Sequence, residues 1–355
     1  MKKCILSILI TAGLIFSSAF ADGPEYRVKI NDKVEIGTSR AFECAAVIAH
    51  LAGFPEYNME KSHSHEYAAY FVQFNKDEKV QIAIRYFKKL HNTGFGYDAV
   101  ANIATYLNSD CHSYRTSIDI VEANIQKRCG DPEKFLEVIS DFYDATKFDD
   151  FYQTMNSVYQ ESTSALLANK DIIIKGIEEY EKYYRTEING IFISASPIVG
   201  PSNYGVSFND GSREYFEPKY CANYFDENLL IHELSHPMSN PVVYEICKNK
   251  KIMKLVNKDL KGEKKKILQS QAYNNAETYL IELFNRANTN NILKGFCTEE
   301  YIKTYIEYDK NKCRFDEIAE VTELLDKYRN GNYKNLEEFR PELEKGFFKI
   351  LNNKK

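Results

Sequence analysis

The chain has 355 residues, 44% of them hydrophobic, with 26 tyrosines, 22 phenylalanines and a formal charge of −5. This is the make-up of a globular protein that buries a proper core, long enough for one large domain or two small ones. The mildly acidic balance argues against nucleic acid as the main partner, and charges interrupt every later apolar run before it reaches membrane-spanning length.

The first 21 residues, MKKCILSILITAGLIFSSAFA, read as a signal peptide. Lys2 and Lys3 form the positive start, Ile5 to Phe16 the apolar run, and Ala19-Phe20-Ala21 the cleavage site. Cys4 precedes the apolar run, where no lipid-attachment cysteine sits. The expectation is an exported protein, periplasmic or extracellular, with no transmembrane segment. Removing two lysines and no acids takes the formal charge from −5 to −7.

A short extended piece, YRVKI, is followed by SRAFECAAVIAHLAG, which has helical spacing and ends at Gly53. EYAAYFVQF, KVQIAIRYFKKLHN and YDAVANIATYL read as further helices. Asp131-Pro132-Glu133 opens another, with aspartate as cap and proline at the first position, and the helical pattern then runs to about Tyr184. GIFISASPIV, SNYGVSF and REYFEP, with a turn at Asn209 to Ser212, predict a small antiparallel sheet. After Pro241 the chain reads as helix almost to its end, with breaks near Gly262, Gly295 and Gly331.

Seven cysteines follow the signal peptide. Cys111 with Cys129, and Cys297 with Cys313, are the plausible local disulfides, whereas Cys44 reads as a small buried hydrophobe. No CxxC occurs, so a metal site built from cysteines has no support.

Residues 226 to 241, DENLLIHELSHPMSNP, carry the chemistry. On a helix, residues four apart share a face, so His232 and His236 offer two imidazoles to one ion. Glu233 is turned about 100° from His232, beside the metal rather than at it, where a general base belongs. Asp226 or Asn228 can cap the helix, and Leu229, Leu230, Ile231 and Leu234 supply its apolar face. Pro237 disfavours helix at His236 and removes a hydrogen bond. The expectation is a helix that ends or kinks after His236, with Asn240-Pro241 completing the exit.

Catalytic zinc takes three protein ligands and keeps one position open. His63 and His65 lie in a polar stretch and read as a surface loop. The helix QAYNNAETYLIELFNRA is the better source of the third ligand, and Glu277 and Glu282 are its candidates. Spacing alone does not separate them.

The stretches KINDKVEI, LAGFPEYN, GFGYDAV, IFISASPIVGPSNYG, HELSHPMSNP, QAYNNAETYLIELFNRA and YRNGNYKNLEEFRPEL carry a resemblance that covers most of the chain in order. It resembles an uncharacterised domain-of-unknown-function family of exported bacterial HExxH proteins, read as gluzincin-like zinc metallopeptidases. The family pattern has a glutamate followed four residues later by Arg-Ala. The resemblance therefore implies Glu282 as third ligand, with Arg286 one turn on to hold its carboxylate. The chain departs from the pattern at Pro237, where a small polar residue is expected, and at Ala276, where an aromatic is usual; both positions touch the site.

The resulting expectation is an α+β, predominantly helical, zincin-like domain over residues 22–355. It comprises a helical part to about 185, a small antiparallel sheet at about 188–217, metal-site helices at about 226–290 and C-terminal helices to about 350. Its expected cofactor is Zn2+, held by His232, His236 and Glu282, and its expected partner is a peptide or protein substrate. Glu233 takes a proton from the attacking water and passes it to the leaving amine. The segment near Tyr204-Gly205 is placed to hold an extended peptide by strand addition. Two alternatives stand beside this reading: a non-catalytic exported binding protein on the same scaffold, and a metal amidase acting on cell-wall material.

Overall fold

The structure, a computed structural model, describes residues 27–59, 64–96, 98–125, 127–199, 203–209, 214–216, 219–220, 226–271 and 273–353. The signal peptide, His63, Cys221 and the turn at 210–212 lie outside the described residues.

Helix dominates. The chain opens with strands β1 (Arg27–Lys29) and β2 (Val34–Gly37). Helices α1 (Arg40–Leu51), α2 (Ser64–Phe71), α3 (Glu78–His91), α4 (Asp98–Ala104) and α5 (Ile118–Asn124) follow. Then come α6 (Pro132–Thr146), α7 (Phe148–Thr154), α8 (Asn156–Leu167) and α9 (Lys170–Tyr184). The expected opening at Asp131 is present, its side chain accepting from the amides of Glu133 and Lys134. α1 is capped by Ser39, and the chain turns away from it through Gly53 at φ +81°, in the left-handed region that glycine enters at little cost. His65 is exposed, as expected, but it lies on α2 and not in a loop.

Strands β3 (Gly190–Ala195), β4 (Ser207–Asn209), β5 (Glu214–Phe216) and β6 (Lys219–Tyr220) precede the second helical half. The sheet order is β1-β2-β3-β5-β4, with β6 also paired to β3. It is not the antiparallel sheet expected. β3 runs parallel to β2, β5 and β6, and only β1–β2 and β4–β5 are antiparallel. All six residues of β3 are buried, the condition under which a parallel strand reads as a continuous apolar run. The partner of β3 also comes from far away in sequence: Ile36 of β2 lies opposite Ile193.

The second half comprises α10 (Glu227–Cys247), α11 (Lys250–Asp259), α12 (Gly262–Ser270), α13 (Ala276–Leu293), α14 (Glu299–Asn311), α15 (Ile318–Asn330) and α16 (Leu336–Asn353). None of the described helices is long and apolar enough to cross a membrane. Two large cores result. One gathers α1 to α4 and α6 to α8 around Phe42, Phe71, Phe87 and Phe142. The other joins β2, β3 and α9 to α10, α13, α15 and α16 through Ile193, Leu230, Leu280 and Phe347. α10 lies at the centre of the second core, packed along α13.

Neither expected disulfide is present. Cys111, Cys129, Cys297 and Cys313 are free thiols, as are Cys44 and Cys247. The Cys129 thiol donates instead to the Ala99 carbonyl at 3.5 Å. Cys44 is fully buried, as expected of a small core residue.

Candidate metal centre

The helix that carries the HELSH segment is fixed at its start by Asp226. That carboxylate accepts from the amides of Asn228 and Leu229 at 2.8 and 3.2 Å and takes a further bond from the Tyr305 hydroxyl at 2.5 Å. From there α10 runs through Pro237 and Pro241 to Cys247, so of the two expected outcomes, an end or a kink after His236, the end does not occur. The reason lies in the surroundings of the proline turn. Pro237 has no N–H for the Glu233 carbonyl four residues back. The flanking carbonyls of His232 and Leu234 are tied to other helices, by the Asn285 amide at 2.8 Å and the Tyr180 hydroxyl at 2.9 Å. Ser239, beyond the proline, donates to Asn285 as well at 2.9 Å. A helix clamped this way from α9 and α13 continues as helix despite two prolines.

α13 begins at a capping box in which the Asn275 side chain accepts from the Thr278 amide at 2.9 Å and the Asn275 amide donates to the Thr278 hydroxyl at 3.3 Å. Ala276, Tyr279, Leu280, Leu283 and Phe284 are buried, and packing this face against the core brings Glu282 to α10. Glu277, near the start of the helix, is exposed. The two candidates that spacing could not separate are thus separated by position.

His232, His236 and Glu282 converge. Their ligand atoms all lie within 4.8 Å of one another. The Nε2 atoms of His232 and His236 are 3.4 and 3.6 Å from the two carboxylate oxygens of Glu282, and the two imidazole rings stand nearly perpendicular with centroids 4.9 Å apart. Donor atoms placed about 2.0–2.1 Å from one tetrahedral ion are roughly 3.3 Å apart, close to both imidazole–carboxylate distances. Oε2 of Glu282 is buried and accepts no hydrogen bond, as suits an oxygen reserved for a cation. The donor set and this orphaned oxygen fit a metal ion.

The electrostatics of the cluster agree. Burial alone would raise the pKa of Glu282, but contact with His232 and the charges of His236 and Arg286 reverse this and hold the carboxylate well below its usual range. Glu233, on the neighbouring face, moves the other way. Burial pushes its pKa up, against the pull of His232 and His236, with the Glu282 charge pushing further and the Gly205 amide opposing. That amide donates to Oε2 of Glu233 at 3.0 Å. The segment around Gly205 therefore lies directly on α10 and holds Glu233.

Behind Glu282 sits a second layer. Arg286, one turn on, places Nε 3.7 Å from Glu282 Oε2, bonds Asp309 of α14 at 2.6 Å and the Tyr273 hydroxyl at 3.3 Å, and lies over the Phe315 ring at 4.9 Å. The Nδ1 of His236 is 3.3 Å from the Asn240 side-chain oxygen. Sequence reasoning named Arg286 beside the ligands, gave Gly205 and Asn240 other roles, in a peptide-holding segment and a helix exit, and did not single out Tyr273, Asn285 or Asp309. Asn285 had a signal, since it follows Glu282 by three residues and so shares its helix face. Asp309 had none, because α14 carries no motif.

Residues 87–345 match the family model described as Domain of unknown function (DUF4932). The chain belongs to the DUF4932 family. The DUF4932 match contains every residue of the centre, from Gly205 to Asp309, while β1, β2 and α1 precede it. Its description assigns DUF4932 no activity, so the chemistry is argued from the cluster itself. No curated protein and no solved structure is similar to this DUF4932 chain.

Proposed function

We propose that the protein is an exported zinc-dependent metallopeptidase on a zincin-like scaffold, with His232, His236 and Glu282 as ligands and Glu233 as general base. The observation that carries this reading is the convergence of two imidazoles and one largely buried carboxylate at distances suited to one ion, with a second carboxylate alongside.

Zinc at that point supplies a Lewis acid that polarises a carbonyl oxygen and lowers the pKa of water to about 7. The protein does the rest. His232 and His236 present Nε2 from successive turns of α10, and Glu282 contributes the negative charge that offsets part of the ion's own. Glu233 takes a proton from the attacking water and returns it to the leaving amine. Its raised pKa makes it a stronger base than a free glutamate, and the Gly205 amide fixes one of its two oxygens.

The test is metal analysis of purified protein together with Glu233→Gln. One zinc per chain is expected in both proteins, with peptide cleavage lowered about 10²- to 10⁴-fold in the variant. Absence of stoichiometric metal, or undiminished cleavage by the variant, overturns the proposal. Digestion of unfolded protein in parallel with muropeptides assigns the bond class, and exclusive muropeptide cleavage would make the enzyme a cell-wall amidase.

A further inference from the structure

Arg286 is a partly buried cation next to a cluster read as a cation site, an arrangement that requires a reason. Its guanidinium points Nε toward Glu282 Oε2 at 3.7 Å, too long for a hydrogen bond, and that Nε has no other partner. A guanidinium free to move would close on Glu282 and take both carboxylate oxygens in a fork at about 2.7–2.9 Å. Those are the oxygens that face His232 and His236. What prevents this is visible on the other side of Arg286. Asp309, only 3% exposed on α14, takes Nη1 at 2.6 Å, while Tyr273 holds Nη2 at 3.3 Å and Phe315 covers the guanidinium face.

We propose that Asp309 is a positioning residue for the metal centre, holding Arg286 back from Glu282 and neutralising its charge so that the carboxylate stays available to a metal ion. This rests on the reading of His232, His236 and Glu282 as a zinc site and adds to it a residue from a third helix. Two effects act together. Asp309 fixes the guanidinium by a charge-assisted bond, and it cancels a positive charge that would otherwise repel a divalent ion across a few ångströms of protein interior. Without Asp309, Arg286 becomes a competitor for Glu282.

The experiment measures zinc affinity of the full chain by competition with a chromophoric chelator at neutral pH. Asp309→Asn is expected to bind zinc about 10- to 100-fold more weakly than wild type. Asp309→Asn combined with Arg286→Gln removes the competitor too, and is expected to recover to within about threefold of wild type. A merely structural role for Asp309 predicts no such recovery. An Asp309→Asn protein that binds as wild type does, or a double variant as weak as the single one, overturns the proposal. If Asp309→Asn does not fold, the double variant, which buries no unpaired charge, decides alone. Near-wild-type affinity then supports the proposal, and a loss beyond about tenfold overturns it. A wild-type protein that binds no zinc removes the metal reading itself and this inference with it, a failure distinct from wild-type binding unaffected by Asp309→Asn.

Discussion

The Gly205 amide donates to the Glu233 carboxylate, and the same glycine leaves no room for a side chain, because a Cβ built there would overlap the Glu233 carbonyl. That carbonyl is the one whose helical partner Pro237 removes. Gly205→Ala must therefore lift the segment off α10 and release Glu233. The expected outcome is a loss of about 1–3 kcal/mol of stability and a fall in turnover with zinc retained, read from thermal unfolding, metal analysis and peptide hydrolysis on one preparation. A variant with unchanged turnover would show that the Gly205 contact does not position the base.

Glu282 and Glu277 offer a matched pair on one helix. Glu282→Gln is expected to lose bound zinc, since it removes the charged ligand of the cluster. Glu277 is exposed, and Glu277→Gln should leave zinc content intact and stability within about 0.5 kcal/mol of wild type. Metal content after dialysis against a weak chelator checks both, and loss of zinc in the Glu277 variant alone would reverse the ligand assignment.

Asn285 joins the two helices of the centre by donating to the His232 carbonyl and accepting from Ser239. Asn285→Ala leaves buried groups unpaired next to a proline turn, at a cost of about 1–3 kcal/mol. Zinc affinity should fall as well, because the turn that spaces His232 from His236 loses its clamp. Denaturant unfolding with and without zinc separates the two effects, and an unchanged midpoint in both conditions would refute the clamp.

Lys264 on α12 is buried beside Asp259, Asp316 and Glu317, at 2.5, 3.2 and 3.6 Å. Burial alone would lower its pKa, but Glu317, Asp259 and Asp316 outweigh that and raise it above 10.5. Folding thus favours the ammonium form. Its contribution is fully present below pH 10.5 and is lost as pH rises through the higher folded value. Lys264→Met should destabilise by about 3–5 kcal/mol at neutral pH, since it removes the cation beside the buried Glu317 carboxylate. The gap to wild type should narrow only at strongly alkaline pH. Unfolding curves at neutral and strongly alkaline pH test the sign, and a gap that widens with pH would contradict it.

The parts of the centre written as local pattern were legible. His232 and His236 four apart behind a capping aspartate predicted the ligand face, and the resemblance selected Glu282. The capped opening of α6 at Asp131 was legible for the same reason, as a local rule with no competitor. What was not legible depends on distant partners. Pro237 argued for a helix end or a kink, and the partners that support continuation, Tyr180 and Asn285, lie 57 residues earlier and 48 later. The strand GIFISA read correctly as strand, but its parallel pairing with VEIG could not be seen locally, since an apolar run does not name its neighbour. The cysteine pairs were inferred from nearness in sequence alone, and neither pair is bonded in the fold.

The pairing of β2 with β3 joins Val34–Gly37 to Gly190–Ala195 across the whole of α1 to α9. Closing a loop of that size carries a large entropic penalty, and native contacts this distant slow folding. Most of the aromatic core around Phe42, Phe71, Phe87 and Phe142 is local to the helices before β3, and Ile198, Val199, Tyr204 and Val206 from beyond β3 complete it. A chain still being synthesised therefore reaches the strand junction late, and the meeting of His232, His236 and Glu282, which needs the helices beyond it, comes after that junction.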